Sequence, residues 1–306
     1  MVQENSLKKV LVICGATATG KTALAIECAK TLDTEIVSAD SMCVYKGFDV
    51  GTAKPTAEEK EGVPYHMIDV AEPTDEYSVG DYREGALPII DGLIARGKIP
   101  IICGGTGFYV NSLLFDLSYG NAPKNEDVRS YYEEIAARDG KEKLHDILRE
   151  KDPLTAEKLH PNDVKRIVRA LEIYEVSGRR KSEISDGNEP RYDYSSFCID
   201  FKREELYDRI NSRVDAMIAA GLIEEVKNLL ESGVGEGAQS MQGIGYKEVC
   251  AGLKEGRSAE EIAEVIKFNT RHYAKRQITF FKKDPRLVHI ERASVKEMAK
   301  IIIGKL

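Results

Sequence analysis

The stretch that decides the fold is KKVLVICGATATGKTALAIECAKTL, which runs from Lys8 to Leu32. Its opening, Lys8 to Cys14, is an apolar run rich in β-branched residues, and it predicts a buried strand. A loop bounded by Gly15 and Gly20 follows, and the apolar residues after this loop recur at helical spacing. A strand, a glycine-bounded loop and a helix in this order are typical of a site that holds phosphate groups at the start of the helix.

The loop fits the pattern G-x-x-x-x-G-K-[ST]. Glycines let the backbone wrap so that its N–H groups point at phosphate oxygens, and the dipole of the next helix favours the same negative charge. Lys21 would neutralise phosphate charge, and the Thr22 hydroxyl could hold Mg²⁺. A chance match in a surface loop is the alternative, but the strand before and the helix after argue against it. The pattern therefore predicts a bound di- or triphosphate, without showing what is transferred, on Gly15, Ala16, Thr17, Ala18, Thr19, Gly20, Lys21 and Thr22.

Further segments extend this alternation along the chain. Glu35–Ser38 and Lys98–Cys103 read as strands separated by helical stretches, which predicts a parallel α/β sheet. From about Asp116 to Tyr194 the chain is polar and mostly helical, and strand character returns at Ser196–Phe201. Helices are predicted at 204–220, 223–232 and 258–283, and a last strand at 288–290. We expect an α/β core of the P-loop nucleotide-triphosphate-hydrolase type, formed by residues 1–115 and 196–306, with a helical insertion at residues 116–195.

Two more segments follow predicted strands and therefore belong to the same edge of the sheet as the phosphate loop. Asp40 stands just after the second strand, where it could be a general base or an aspartate that caps a turn. Thr106 stands between two glycines after the next strand, where it could bind a ligand or cap the following helix. Position alone does not decide between these roles.

Composition excludes several classes of protein. The six cysteines are scattered without C-x-x-C spacing, which argues against a zinc ribbon and a disulfide scaffold. No apolar run approaches the roughly 20 residues that a membrane span needs. The N-terminal residues, Met1 to Lys9, contain no apolar segment typical of an export signal. We therefore expect a cytoplasmic protein without a membrane partner.

The net charge of −7 argues by itself against binding to nucleic acid, because phosphate contacts need Lys and Arg. The positive charge is unevenly distributed, however. One cluster lies between Lys158 and Lys181, and a second between Arg271 and Lys283. Such clusters are either solvated helix faces or surfaces for an RNA backbone.

Seven blocks of this sequence, spread over nearly the whole chain, resemble the bacterial tRNA dimethylallyltransferase family. They are GATATGKT (15–22), SADSMCVYKGFDVGTAKP (38–55), YHMIDV (65–70), GGTGFY (104–109), HPNDVKRIVRALE (160–172), QGIGYKE (242–248) and AKRQITFFK (274–282). Their order is that of the family. The resemblance implies transfer of a dimethylallyl group from dimethylallyl diphosphate to the N6 amine of adenine 37 in the anticodon stem-loop of tRNA, with Mg²⁺ as cofactor and a monomeric enzyme.

The resemblance also implies roles for individual residues. Asp40 corresponds to the general base, Thr106 to its partner near the reacting centre, and Arg213 to an arginine that reaches the diphosphate. Cys43 stands where the family usually has Gln, so a hydrogen bond from that side chain to the target nucleotide is not implied. The segments that match tRNA contacts contain Asp40, Ser41, Met42, Cys43, Thr106, Val128, Lys165, Arg166, Ile167, Val168, Arg169, Gln242, Gly243, Ile244, Gly245, Tyr246 and Lys247.

Three other functions fit parts of the pattern. A kinase for a small acceptor would use the same phosphate loop with an Asp after the second strand, and a prenyltransferase for free adenine nucleotides would use the same chemistry. Neither needs the basic helical insertion. An RNA-binding switch governed by a nucleotide would leave Asp40 and Thr106 without a role.

Overall fold

The computed structural model describes residues 8–117, 122–184, 187 and 189–306. These residues form two compact units, one that joins the chain up to Leu114 with Arg191–Leu306, and one made of Phe115–Pro190. The expected end of the insertion at residue 195 is wrong as a structural boundary, because Asp193–Ile199 is a strand of the first unit's sheet.

The larger unit is built on a sheet in which each described strand pair is parallel. The strand order is β3-β2-β4-β1-β5-β6. This arrangement confirms the α/β class expected from the alternation of strands and helices. The strands are β1 Lys9–Cys14, β2 Ile36–Ser38, β3 Tyr65–His66, β4 Ile101–Gly104, β5 Asp193–Ile199 and β6 Leu287–Ile290.

Helices connect these strands and form the whole of the smaller unit's regular structure within the described residues. Short 3₁₀ turns lie at Lys181–Glu183 and Ser240–Gln242. No helix in the described part of the chain is both long and apolar enough to span a membrane. The α-helices are α1 Lys21–Leu32, α2 Val79–Ala95, α3 Gly107–Leu114, α4 Glu126–Arg138, α5 Lys141–Lys151, α6 Pro153–Ala156, α7 Val164–Ser177, α8 Arg203–Ala219, α9 Leu222–Glu231, α10 Tyr246–Lys254, α11 Ala259–Phe281 and α12 Val295–Ile303.

The core of the larger unit lies between the sheet and the helices α1 and α12. Leu11 and Ile13 of β1 are completely buried, and they pack with Leu24 of α1 and Ile302 of α12. A fully buried central strand of this kind gives a continuous apolar run in the sequence rather than an alternating one. The phosphate loop therefore follows a rigid strand.

The smaller unit consists of α4 to α7 around its own apolar core, which includes Leu144, Leu148 and Leu171. The fully buried carboxylate of Glu172 lies at the edge of this core. It accepts hydrogen bonds from the Arg129 and Arg169 guanidinium groups at 2.8 and 2.5 Å, so the buried charge is paired.

Candidate active site

The strand order brings three predicted loops to one edge of the sheet. β4 lies between β1 and β2, with Cys14 opposite Gly104 and Ser38 opposite Cys103. Residue 104 must be glycine here, because a Cβ atom at that position would overlap the backbone carbonyl of Ala39. The phosphate loop, the segment at Asp40 and the loop after β4 are therefore neighbours, as the sequence predicts.

The phosphate loop ends at the first turn of α1. Gly20 adopts a left-handed conformation with φ of 88°, and Lys21 is the first residue of the helix. The Lys21 ammonium donates a hydrogen bond to the Ala16 carbonyl, as does the Thr19 hydroxyl at 2.9 Å. Burial lowers the pKa of Lys21, and the nearby Arg213 cation acts in the same direction. A poorly hydrated cation at the N-terminus of a helix is well suited to bind an anion.

Two arginines of α8 reach the same loop. Arg213 donates from Nη1 to the Thr17 hydroxyl and from Nη2 to the Thr52 carbonyl, both at 3.3 Å. Burial lowers the pKa of Arg213, although a guanidinium remains charged at neutral pH. Arg209, one helical turn earlier, donates from Nε to the Ala18 carbonyl at 2.7 Å. The sequence pointed to Arg213 but not to Arg209.

Asp40 caps a turn, as one of the two sequence hypotheses expected, and it also lines a cavity, so its role as a general base stays a prediction. Its Oδ1 accepts hydrogen bonds from the backbone N–H groups of Met42 at 2.9 Å and Cys43 at 3.4 Å. Asp40 also lines a cavity of about 430 Å³, which we call the Asp40 cavity. The turn fixes the carboxylate without removing it from the wall of the cavity.

Thr106 hydrogen-bonds Ser41, which lines the Asp40 cavity. Its hydroxyl accepts from the Ser41 N–H at 3.0 Å and donates to the Ser41 hydroxyl at 3.3 Å. Tyr273 of α11 lines the same cavity. Burial, and next the Asp40 charge, raise the pKa of Tyr273 to about 12, so its hydroxyl keeps its proton at neutral pH.

Gln277 lies one turn after Tyr273 on α11 and binds both the phosphate loop and the loop after β4. Its Oε1 accepts from the Thr17 N–H, and its Nε2 donates to the Gly105 carbonyl, both at 2.9 Å. Neither α11 residue was assigned to the site from the sequence. Gln277 lies in the block AKRQITFFK (274–282) that resembles the family, which was the available signal for it, and Tyr273 lies four residues earlier on the same helix face.

Polar and apolar side chains both line the Asp40 cavity. Several residues that the resemblance assigned to tRNA contacts line it, whereas Cys43 and Tyr246 of the same segments are buried. The polar lining residues also include Arg213, Gln239 and Arg276. The apolar lining residues include Ile210, Val214 and Met217 of α8 and Ile266 of α11. The expected contact residues on the wall are Asp40, Ser41, Met42, Gln242, Gly243, Ile244, Gly245 and Lys247.

A second cavity of about 950 Å³, the Lys21 cavity, lies on the other side of the phosphate loop. Gly20, Lys21 and Thr22 line it, while Ala18 and Arg213 line both cavities. Its wall also contains the carboxylate residues Glu27, Glu59 and Asp208. Carboxylate and hydroxyl oxygens are the ligands that Mg²⁺ prefers, so the residue types of this wall fit that ion, although among the described residues these carboxylates do not form a preassembled metal cluster.

A separate cluster of possible metal ligands lies at the ends of β5 and β6. Among the described residues, Cys198, Asp200 and His289 are the group whose ligand atoms all lie within 4.8 Å of one another. His289 Nδ1 is 2.5 Å from Asp200 Oδ1 and 3.4 Å from Cys198 Sγ. A thiol and an imidazole are soft ligands unsuited to Mg²⁺, so this cluster is distinct from the expected magnesium site.

Apart from Thr106, which binds Ser41 as described above, the remaining residues expected to contact tRNA lie in the smaller unit. Lys165 and Arg166 are exposed on α7, and Val128 packs against the core of that unit. The side chains of Ile167 and Val168 are buried in the same core, so they are not available as RNA contacts. Arg169 is engaged with Glu172 and donates to the Ala122 carbonyl at 3.0 Å, which gives it a structural role in this unit.

Comparisons with known proteins agree with this arrangement. A family model described as IPP transferase matches residues 43–284, and a model described as isopentenyl transferase matches residues 8–70. A tRNA dimethylallyltransferase of Acetivibrio thermocellus is 46% identical over 299 residues, which cover 97% of this chain and 96% of that protein.

Two solved structures extend the similarity to three dimensions. The tRNA isopentenylpyrophosphate transferase of Bacillus halodurans is 38% identical with a TM-score of 0.73, covering 97% of this chain and 95% of that one. A eukaryotic dimethylallyltransferase acting on tRNA is 30% identical with a TM-score of 0.79, covering 95% of this chain and 75% of that one. From its phosphate loop, its carboxylate-lined cavity and these full-length similarities, we conclude that the chain belongs to the tRNA dimethylallyltransferase family.

Proposed function

We propose that this chain transfers a dimethylallyl group from dimethylallyl diphosphate to the N6 amine of adenine 37 in the anticodon stem-loop of tRNA, and releases diphosphate. One observation carries the proposal. Arg213 contacts the phosphate loop and lines both the Lys21 cavity and the cavity that holds Asp40. Arg213 therefore connects the anion-binding loop to the cavity that contains the carboxylate. A reaction that releases both a diphosphate and a proton needs these two groups close together.

The leaving group receives the greater part of the stabilisation. The transferred carbon is allylic and tolerates positive charge, so the C–O bond to the diphosphate can weaken before the new C–N bond is complete. Negative charge then builds on the diphosphate, where Lys21, Arg213 and the N–H groups of the loop would stabilise it. These groups are already held by hydrogen bonds within the protein, so little reorganisation accompanies the reaction.

The amine needs a proton acceptor because its lone pair is delocalised into the adenine ring. As the N6 nitrogen forms its bond to the allylic carbon, one N–H proton passes to the Asp40 carboxylate. General-base assistance of this kind contributes about 10²–10⁴-fold to the rate. The backbone N–H of Met42 binds Asp40 Oδ1 and so holds the carboxylate in place. We propose that Thr106, which binds Ser41, holds the adjacent part of the cavity wall.

The apolar side chains that line the Asp40 cavity suit the five-carbon chain of the donor. Ile210, Val214 and Met217 come from successive turns of α8, the helix that also carries Arg213. Apolar side chains there exclude water from an allylic centre that would otherwise be hydrolysed. A kinase for a small acceptor would have no use for an apolar wall beside its carboxylate.

Mg²⁺ is the proposed cofactor, and the Thr22 hydroxyl at the Lys21 cavity is the protein ligand that would hold it. Bound there, it would supply further positive charge against the diphosphate. The loop side chains bind and orient the donor.

The target base must leave its stack to enter the Asp40 cavity, and an anticodon loop makes this easier because its bases are partly unstacked. We propose that Lys247 and Arg276 receive the RNA at the Asp40 cavity, and that Lys165 and Arg166 of the smaller unit bind its backbone. We further propose that the chain works as a monomer in the cytoplasm, where its tRNA substrate is found.

Two donors, each combined with two acceptors, test the proposal in one experiment. The chain is incubated with ¹⁴C-labelled dimethylallyl diphosphate or γ-labelled ATP, and with an anticodon stem-loop RNA or free AMP. We expect label in the stem-loop only, and only from the prenyl donor. Label in AMP would indicate the free-nucleotide prenyltransferase, phosphoryl transfer would indicate a kinase, and RNA binding without transfer would indicate a switch protein.

A further inference from the structure

The carboxylate of Glu225 on α9 accepts hydrogen bonds from four donors. Its Oε2 accepts from the backbone N–H groups of Asp49 at 3.1 Å and Val50 at 2.8 Å. Its Oε1 accepts from the Gly51 N–H at 3.2 Å and from the Tyr246 hydroxyl at 2.6 Å. Three consecutive backbone N–H groups thus converge on one side chain that the reaction as described does not use.

The turn held in this way leads directly to the site. Gly51 and Thr52 line the Asp40 cavity. The Thr52 carbonyl accepts the second guanidinium bond of Arg213 at 3.3 Å, while the first holds Arg213 to the phosphate loop. The orientation of this arginine therefore depends on where the turn places the carbonyl.

The fourth donor connects the same carboxylate to another wall of the cavity. Tyr246 is the first residue of α10 and directly follows Gly243, Ile244 and Gly245, which line the Asp40 cavity. Its ring packs against Phe48 with a centroid separation of 4.5 Å. Glu225 thus joins two cavity segments that are far apart in the sequence.

We propose that Glu225 is a positioning residue for dimethylallyl transfer, which anchors the Asp49–Gly51 turn and thereby fixes the Thr52 carbonyl and the Arg213 guanidinium against the donor diphosphate. The proposal rests on the proposed function for the identity of the donor, but its geometry needs only an anion at the phosphate loop. Glu225 acts through the turn and through Arg213, without contact to the reacting atoms.

The residue type follows from the donors. Converging N–H groups need an acceptor with two oxygens, which an ionised carboxylate offers and which binds neutral donors more strongly than an amide does. A glutamine has one oxygen, and its NH₂ group would face an N–H of the turn. Burial, and next the Glu225 charge, raise the pKa of Tyr246, so its hydroxyl remains a donor at neutral pH.

The test compares Glu225→Gln with the matched control Glu224→Gln. Glu224 precedes Glu225 on the same helix but is exposed and bonded to Lys227 at 2.7 Å. We expect Glu225→Gln to lower kcat/KM for dimethylallyl diphosphate by about tenfold or more, the effect of one lost charge-assisted hydrogen bond. Pyrophosphate affinity, measured by titration calorimetry, should fall in parallel, and Glu224→Gln should change neither quantity.

A double-mutant cycle with Arg213→Ala separates positioning from general stabilisation. If Glu225 acts through Arg213, the double variant should lose no more pyrophosphate affinity than Arg213→Ala alone. Additive losses, or a lower melting temperature with unchanged affinity and kcat/KM, would overturn the proposal. Glu225→Asp, which keeps the charge, should lose less than Glu225→Gln and supports the same cycle if the glutamine variant fails to fold.

The two proposals fail in different ways. Wild-type protein that binds pyrophosphate but transfers no dimethylallyl group would contradict the proposed function, while the calorimetric cycle would still test the role of Glu225.

Discussion

Replacement of Asp40 by asparagine should remove the general base while leaving the site assembled. The amide oxygen of the introduced asparagine can still accept the Met42 N–H bond, which the Asp40 Oδ1 accepts at 2.9 Å, so the turn should persist. The lost proton acceptor should lower kcat by about 10²–10⁴-fold, which corresponds to about 3–5 kcal/mol of transition-state stabilisation. Donor affinity should not fall, because the substitution removes a negative charge near Arg213 and Lys21.

The assay is single-turnover transfer from dimethylallyl diphosphate to a stem-loop RNA, combined with filter binding of the RNA. Asp33→Asn is the matched control, since Asp33 is exposed at the end of α1 and adopts a left-handed conformation that asparagine tolerates. The control should transfer at the wild-type rate. If Asp40→Asn reacts within a few-fold of wild type, Asp40 is not the base and only caps its turn.

Four further predictions follow from the contacts described for the phosphate loop and for α7. Lys21→Ala should weaken pyrophosphate binding by about tenfold or more in calorimetry. Because the pKa of Lys21 lies below its ordinary value of 10.5, the affinity advantage of the unaltered chain over this variant should shrink as the pH rises towards that value, and an advantage that does not change with pH would exclude the lysine. Gln277→Leu should lower the transfer rate while RNA affinity stays constant, because it unties the phosphate loop from the loop after β4; an unchanged rate would make that tie dispensable. Lys165→Ala should flatten the salt dependence of tRNA binding by about one unit at most, and a wild-type slope would place the contact elsewhere. Arg169→Ala should lower the melting temperature, because it leaves the buried Glu172 carboxylate with one cation fewer, and loss of tRNA affinity without loss of stability would restore Arg169 as an RNA contact.

Local signals in the sequence accounted for much of the fold. The apolar run at β1 and the glycines after it predicted the strand, the loop and the start of α1 within one or two residues. The helix predicted from residue 258 begins at Ala259 as α11, where Ser258 and Glu261 form a capping box. These features depend on residues close together in the chain.

Features that depend on distant partners were less predictable. The first residues of β5, Asp193 and Tyr194, are polar for a central strand, and they are extended because β1 pairs with them. The two-residue strand β3 is too short to give a pattern, and Pro88 inside α2 weakens the helical signal there.

In the site too, residues marked by their neighbours in the sequence were predictable, and residues that depend on distant partners were not. Asp40 and Thr106 were found because each follows a strand, and the carboxyl ends of parallel strands share one edge. Gln277 and Glu225 bind backbone groups that are far away in the sequence. Only the folded chain shows that these two side chains support the site.

The proposed reaction places a dimethylallyl group on the N6 amine of adenine 37, and mass spectrometry of nucleosides and RNA fragments tests it most directly. Unmodified tRNA is first allowed to react with the purified chain and dimethylallyl diphosphate. We expect one adenosine, at position 37, to gain the mass of a dimethylallyl group in place of a hydrogen, with one diphosphate released for each. A tRNA that remains unmodified under conditions where it binds the chain, or a modification at another base, would refute the proposed reaction.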